Sequence, residues 1–359
     1  MKVKYISILI FLIMFLLMFS CNESDIGIFY GLKNEVKIRD RSLPNNVTVG
    51  SMTKIGISLY IAAGNVYKKT SKTEEEWYVI PPPSGFDLSV CLVSKGTDLY
   101  AIYYTKNNAN KGFFRLIDGE NTWTAINEIS SLPGTIENLK SANNEVFIST
   151  RISSNIAHLY HYDGTTNFTQ IISNMTGSPF DVISNGTDYW VSNYNKIFHG
   201  NSPIGPFTSI RSLEEYCEIN ALIELDNSIT FTYWHKRNLR GYIEVIDYAG
   251  NVVNNNSVGS FMLNGLKLFT VSGYEFLICG TSGRGYYQLL NPSKTNIELQ
   301  RPRNNVLSQN YNSAIDLQNA VVLDFFIDDG DDGDLYALTS TKGLWKNTEE
   351  GGFRTWSIE

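Results

Sequence analysis

Short stretches in which apolar and polar residues alternate recur along most of the chain. Examples are Asn65-Val66-Tyr67-Lys68-Lys69, Phe113-Phe114-Arg115-Leu116-Ile117, His158-Leu159-Tyr160-His161-Tyr162, Lys196-Ile197-Phe198-His199 and Tyr242-Ile243-Glu244-Val245-Ile246. A period of two is the pattern of a half-buried strand. No stretch of the body sustains a period of 3.6, so helices are not expected. Two further phrases keep step with this one. An acid or polar residue precedes an apolar-aromatic pair at Asp98-Leu99-Tyr100, Glu145-Val146-Phe147, Asp188-Tyr189-Trp190 and Asp334-Leu335-Tyr336. Gly or Asn tends to stand just before it, as tight hairpins require. An aromatic residue also opens a short strand at Trp77, Trp123, Phe168 and Phe207, and the chain closes on Trp356-Ser357-Ile358-Glu359.

These phrases repeat at a fixed step. Trp77, Trp123, Phe168 and Phe207 are 46, 45 and 39 residues apart, and weaker copies at Val252 and Ile297 bring the mean to 44. Four short strands every 44 residues is the signature of a β-propeller blade. The expected fold is therefore all-β: a single β-propeller of about seven four-stranded blades, with six or eight as alternatives. The blades are expected near 47–80, 87–127, 136–173, 179–211, 217–254, 261–300 and 318–359. Residues 300–317 lengthen the last interval and read as a surface excursion.

The first 21 residues follow a different pattern. Lys2 and Lys4 precede an uncharged apolar run, Tyr5 to Phe19. Fifteen residues fall short of the about 20 needed to span a bilayer but fit the apolar region of an export signal. Met18, Phe19 and Ser20 then lead into Cys21, followed by polar Asn22-Glu23-Ser24-Asp25. This segment resembles a bacterial lipoprotein signal of the relaxed, spirochaete-like kind. An ordinary signal peptide with a chance cysteine is the alternative. The resemblance implies residues 1–20 as signal peptide, 21–46 as anchor, tether and N-terminal strand, and 47–359 as the propeller. It also implies lipid on Cys21, export, and attachment to the outer membrane at its periplasmic face or the cell surface. Several acyl chains anchor stably where one does not.

Composition sharpens this picture. Hydrophobic residues make up 43% and charged residues 18% of the 359, with 21 Tyr, 19 Phe and 6 Trp, which is a globular composition favouring strands. Loss of Lys2 and Lys4 leaves 27 basic against 36 acidic residues, a net charge of −9. No basic patch invites nucleic acid, and a monomer is expected. Cys91, Cys217 and Cys279 are widely spaced, so they read as buried strand residues, with one disulfide as the alternative.

Candidate chemistry is sparse. The end of the chain, Gly351-Gly352-Phe353-Arg354-Thr355-Trp356 after Glu350, and the turn Asp118-Gly119-Glu120-Asn121-Thr122-Trp123 resemble degenerate BNR or Asp-box repeats. The sialidases of that class would imply an arginine triad. Their signature finds only Phe114-Arg115-Leu116-Ile117 here, without its proline. No phosphate loop, nucleophile elbow or His-Glu-x-x-His occurs, and no catalytic residue is assigned. Asp328, Asp329, Asp331, Asp332 and Asp334 form an acidic hairpin that reads as a solvated turn or as oxygen ligands for Ca²⁺, the one cofactor considered. The four histidines, His158, His161, His199 and His235, read as structural. Tyr233, Trp234 and Arg237 are aromatic and cationic anchors of the type interfaces favour. The expected function is non-catalytic binding of a protein or glycan at the cell envelope. Alternatives are an envelope-assembly scaffold, resembling the propeller lipoprotein of the outer-membrane protein assembly machinery, and a sialidase-like, glycan-acting enzyme.

Overall fold

The alternating stretches become strands of seven antiparallel sheets arranged as the blades of a β-propeller. The structure, a computed structural model, describes residues 43–359 apart from 45, 72, 73, 75, 108, 109, 118, 178, 303–306, 308, 309, 312, 313, 329–332, 351 and 352. Residues 1–42, with Cys21, lie outside the described residues.

Blade 1 holds β1 (Ser51–Ile55), β2 (Ser58–Ala63), β3 (Asn65–Lys69) and β4 (Tyr78–Ile80). Blade 2 holds β5 (Leu88–Lys95), β6 (Asp98–Tyr104), β7 (Lys111–Leu116) and β8 (Thr124–Ala125). Blade 3 holds β9 (Thr135–Ala142), β10 (Glu145–Ser153), β11 (Ile156–Tyr162) and β12 (Phe168–Thr176). Blade 4 holds β13 (Phe180–Ser184), β14 (Tyr189–Asn193), β15 (Lys196–Gly200) and β16 (Thr208–Ser212). Blade 5 holds β17 (Cys217–Leu225), β18 (Ser228–His235), β19 (Arg240–Ile246) and β20 (Val252–Gly259). Blade 6 holds β21 (Leu263–Val271), β22 (Tyr274–Thr281) and β23 (Tyr286–Leu290), and its fourth place is filled by Gln300, which exchanges both backbone hydrogen bonds with Gln288 at 2.8 Å. Blade 7 holds β24 (Val322–Asp328), β25 (Asp334–Thr339), β26 (Leu344–Glu350) and β27 (Phe353–Ile358). Within each blade the strands are laid down in chain order, each hydrogen-bonded to the next.

The first strands of the blades neighbour one another around the centre, from β1 through β5, β9, β13, β17 and β21 to β24 and back to β1. The second strands are wedged between blades and lose the alternation: every residue of β2 and β25 is buried. Short hairpins join first to second strands. Asn143-Asn144, Asp226-Asn227 and Ser272-Gly273 carry both central residues at positive φ, the conformation of a tight two-residue turn. The repeated aromatics lie at the entrance to, or within, the fourth strands, where Trp77, Trp123 and Trp356 are buried between blades. Burying side chains of that size is worth a few kcal/mol each.

The segment 300–317, expected as a surface excursion, contributes to the core instead among its described residues. Leu307, Tyr311, Ala314, Leu317 and Ala320 are buried in the core between blades 6 and 7, with one turn of helix, α1 (Ile315–Gln318). The physical reason is the reduced outer strand of blade 6, which leaves a wedge for this segment to fill. The segment also guards an edge. Asn310 donates through Nδ2 to the Trp356 carbonyl (2.9 Å) and accepts from its amide (2.8 Å), so one carboxamide pairs with β27 as another strand would. The other long outer strands, β12, β16 and β20, carry register shifts instead. Both devices discourage pairing with a further chain.

Blades 1 and 7 each own their strands, so the ring closes by contact rather than strand exchange. The Val49 amide donates to the Thr339 carbonyl (2.9 Å). The buried Lys69 ammonium donates to Glu359 Oε2 (2.7 Å), which also accepts from Trp77 Nε1 (3.1 Å). Leu43, Val49, Leu59, Trp77, Tyr336 and Leu344 pack in the same seam. Glu359→Ala strands the Lys69 cation in that seam and is expected to cost about 3 kcal/mol. Denaturant unfolding of the variant checks this, and an unchanged midpoint would contradict it.

Candidate functional site

The acidic phrase that stands at the start of four second strands, β6, β10, β14 and β25, has a structural partner. In four blades a basic side chain on the third strand stands directly opposite the aromatic residue. The pairs are Tyr100 with Arg115, Phe147 with His161, Trp190 with His199 and Tyr336 with Lys346. Residues two apart on a strand share a face, so each base reaches the acid two places before the aromatic. Arg115 Nε lies 2.7 Å from Asp98, His161 Nε2 2.8 Å from Glu145, His199 Nε2 2.7 Å from Asp188 and Lys346 Nζ 3.0 Å from Asp334. Burial pushes the Glu145 carboxyl up, but hydrogen bonds from Lys95 and His161 outweigh it and hold the group below its ordinary value. The hydrogen bond from His199 holds Asp188 low as well. Arg115, His161 and His199 thus brace blades. His158 accepts from the Asn174 amide (3.1 Å), and His235 lies 3.6 Å from Glu214.

The acidic hairpin is committed in the same way at its base. Asp328 is buried and paired with Lys54, and Asp334 is buried with Lys346. Asp329, Asp331 and Asp332 lie outside the described residues. Among the described residues no group of three or more His, Cys, Asp or Glu side chains is placed to hold a metal.

Of the anchors on blade 5, Tyr233 is buried, stacked on Tyr242 at 5.0 Å, and its hydroxyl accepts from Asn255 (3.1 Å). Trp234 is half-buried, and Arg237 is exposed with its guanidinium 3.4 Å over the Tyr216 ring. Cys91, Cys217 and Cys279 are free and buried, and burial pushes the Cys91 thiol up to about 11. Asp118 lies outside the described residues. Backbone capping of the Asp-box kind is made instead by Asp163, which accepts from the Thr165 amide (2.7 Å), and by Asp247, which accepts from the Asn251 amide (2.8 Å).

The site with open space is the centre of the ring. A cavity of about 530 Å³ runs between the first strands, with Met52, Leu92, Leu139, Val182, Leu222 and Phe326 among its apolar lining. Its charged groups are Lys140, Lys267, Asp181, Asp324 and, beside Tyr104, Glu137. Lys140 projects from blade 3 to reach Asp181 of blade 4 (3.4 Å) and Asp324 of blade 7 (4.0 Å). Its side chain is 36% exposed and belongs to the lining of the cavity. Asp181 beside it, with Asp324, holds the ammonium's pKa above the ordinary lysine value against the effect of burial. Asp181 also accepts from the Leu222 amide (2.9 Å), and Asp324 from the Phe325 amide (2.8 Å). Glu137 is clamped by Lys111 (2.7 Å) and Arg151 (2.9 Å). Gly265 lets blade 7 approach, since a Cβ there would stand 2.3 Å from Asp324 Oδ1. None of these residues was a candidate from sequence. The available signal was a lone charge inside an apolar first strand, as in Leu139-Lys140 and Leu323-Asp324-Phe325.

No family model and no curated protein matches this chain. Solved structures do. The chain is similar to the GH74 xyloglucanase of Xanthomonas campestris (TM-score 0.61, 9% identity, 88% of this chain and 54% of that one). It is similar to the extracellular domain of a hybrid two component system from B. thetaiotaomicron (TM-score 0.56, 14% identity, 85% of this chain and 39% of that one). It is also similar to the WD40 β-propeller domain of Doa1 (TM-score 0.55, 13% identity, 88% of this chain and 95% of that one). The chain thus spans about two fifths of the B. thetaiotaomicron chain and about half of the xyloglucanase. At these identities the likeness is one of fold.

Two outcomes follow from the ion pairs. Lys140→Met leaves Asp181 and Asp324 without their cation and is expected to cost about 2 kcal/mol near neutral pH. Denaturant unfolding at neutral pH checks this, and an unchanged midpoint would contradict it. Asp188 is held below its unfolded pKa of about 3.9, so its contribution is present above that pH and fades as pH falls through the lower, folded value. Asp188→Asn should therefore lower the denaturant midpoint at neutral pH and lower it progressively less below about pH 4. A pH-independent difference would contradict the assignment.

Proposed function

We propose that this chain is an exported β-propeller held at the cell envelope by lipid on Cys21, where it binds a protein or glycan without transforming it. The β-propeller fold is compatible with a binding or interaction module. The observation that carries the non-catalytic reading is the state of the central carboxylates. A glycosidase needs two carboxyl groups free to exchange protons or attack, with environments that push their pKa values apart. Here Asp181 and Asp324 share one ammonium and each accepts a backbone amide, while Glu137 is held by two cations. Such groups are held in place by their partners, which suits recognition. Arg115, the one residue matching a sialidase signature, is engaged with Asp98 in blade 2.

Anchoring rests on residues 1–25 and their resemblance to a lipoprotein signal. Among the described residues no helix is long and apolar enough to cross a membrane. In the proposed arrangement Trp234 and Arg237 on blade 5 supply a rim for a partner.

Growth with labelled palmitate tests the anchor. Label is expected on the wild-type chain and absent from Cys21→Ala, and equal labelling of both would overturn it. Incubation with oligosaccharide panels tests the non-catalytic reading, since release of any shortened product would contradict it.

A further inference from the structure

The cavity at the centre of the ring has a composition that selects among ligands. We propose that it is a binding site for a neutral, hydroxyl-rich ligand, a mono- or disaccharide. This rests on the reading of the chain as a binding module and names the ligand class of its central site.

Four features lead there. The first is size: about 530 Å³ falls within the ~300–1,000 Å³ typical of small-molecule sites.

The second is charge. The lining holds two lysines, Lys140 and Lys267, and two aspartates, Asp181 and Asp324, while Glu137 beside them is clamped by Lys111 and Arg151. The two charges of each sign in the lining balance, so a ligand with a formal charge would leave a net charge among them inside the ring, which is costly. A neutral ligand keeps that balance.

The third is unused hydrogen-bonding capacity. Lys267 Nζ makes no ion pair or hydrogen bond with the described residues. Asp324 Oδ2 lies 4.0 Å from Lys140, outside hydrogen-bond reach, while Oδ1 serves the Phe325 amide. The cavity therefore offers both a strong donor and a strong acceptor. A hydroxyl group both donates and accepts, so a polyol satisfies the two together, and hydrogen bonds to charged groups are the stronger kind.

The fourth is the rest of the wall. Leu92, Leu139, Val182 and Leu222 present aliphatic surface beside these charges. A sugar ring carries C–H faces as well as hydroxyls and matches a wall of both kinds. An apolar molecule would leave Lys267 desolvated without a partner.

Lys267 is the residue on which to test this, because no partner among the described residues depends on it for folding. The full-length protein, in a detergent without a sugar headgroup, is titrated with N,N′-diacetylchitobiose, maltose and cellobiose. N-acetylneuraminate and glucosamine serve as charged counterparts, with calorimetry and saturation-transfer NMR as readouts. At least one neutral disaccharide is expected to bind, and the charged sugars to bind about tenfold more weakly or not at all. Lys267→Met and Asp324→Asn should each weaken the neutral sugar by about tenfold, and Lys267→Met should melt at the wild-type temperature. No binding of the neutral disaccharides at about 10 mM, preference for a charged sugar, or an unchanged affinity in Lys267→Met would overturn the assignment. Palmitate labelling of Cys21 does not depend on the cavity. A negative titration beside positive labelling would therefore remove the sugar site and leave the anchored module standing.

Discussion

Every blade ends, at the centre of the ring, on a strand that has no further strand to pair with. Its outward backbone groups must find partners or face water. The ring meets this constraint with side chains from the neighbouring blade. Ser51 of blade 1 accepts from the Leu92 amide of blade 2 (2.7 Å), and Asp181 of blade 4 accepts from the Leu222 amide of blade 5 (2.9 Å). Asn220 donates to the Leu263 carbonyl (2.8 Å), and Asn264 to the Val322 carbonyl (2.9 Å), linking blades 5, 6 and 7 in turn. Lys140 then reaches between the strands of blades 3, 4 and 7. The polar lining of the cavity is thus in part the means by which the ring holds its inner edges. A ligand entering it meets groups fixed by the fold rather than flexible surface side chains, which lowers the entropic cost of binding.

Away from the centre, apolar burial between blades holds the ring together. Second strands are covered on both faces, and the tryptophans of the fourth strands fill the widening gap outside them. The acid–aromatic–base arrangement sits within these packed layers, where it fixes a cross-strand register and satisfies charges that burial would otherwise penalise. Because each partner is charged or hydrogen-bonded, the device adds specificity more than net stability.

The architecture was legible in the sequence because it is periodic. A 44-residue step, hairpin residues and alternating strands are local signals, and each expected blade overlaps an observed one, from 47–80 against 51–80 to 318–359 against 322–358. Two features were not legible. The segment 301–321 carries no period, and its buried residues Leu307, Tyr311, Ala314 and Leu317 answer to the shape of a wedge that exists only once blades 6 and 7 are in place. Lys140, Asp181 and Asp324 are 41 and 143 residues apart along the chain in succession. Nothing local says that three isolated charges on three strands converge, because their meeting is a property of the closed circle. His161 and His199 show the reverse case. Their acidic partners were visible as part of the second-strand phrase, but the cross-strand pairing that explains them needed the register.

The seam between blades 1 and 7 has a bearing on how such a ring can change. No blade is split between the two ends of the chain, so each sheet is one uninterrupted piece of sequence. A duplication or loss of such a piece adds or removes a whole sheet without cutting another. The two ends of the described chain also pack in one seam, so a gene joined there and reopened at a link between two blades elsewhere would still encode seven intact sheets. In that respect the chain is a string of interchangeable parts, and the unusual parts are the few that cannot be moved: the wedge before blade 7, and the three blades whose charges meet at the centre.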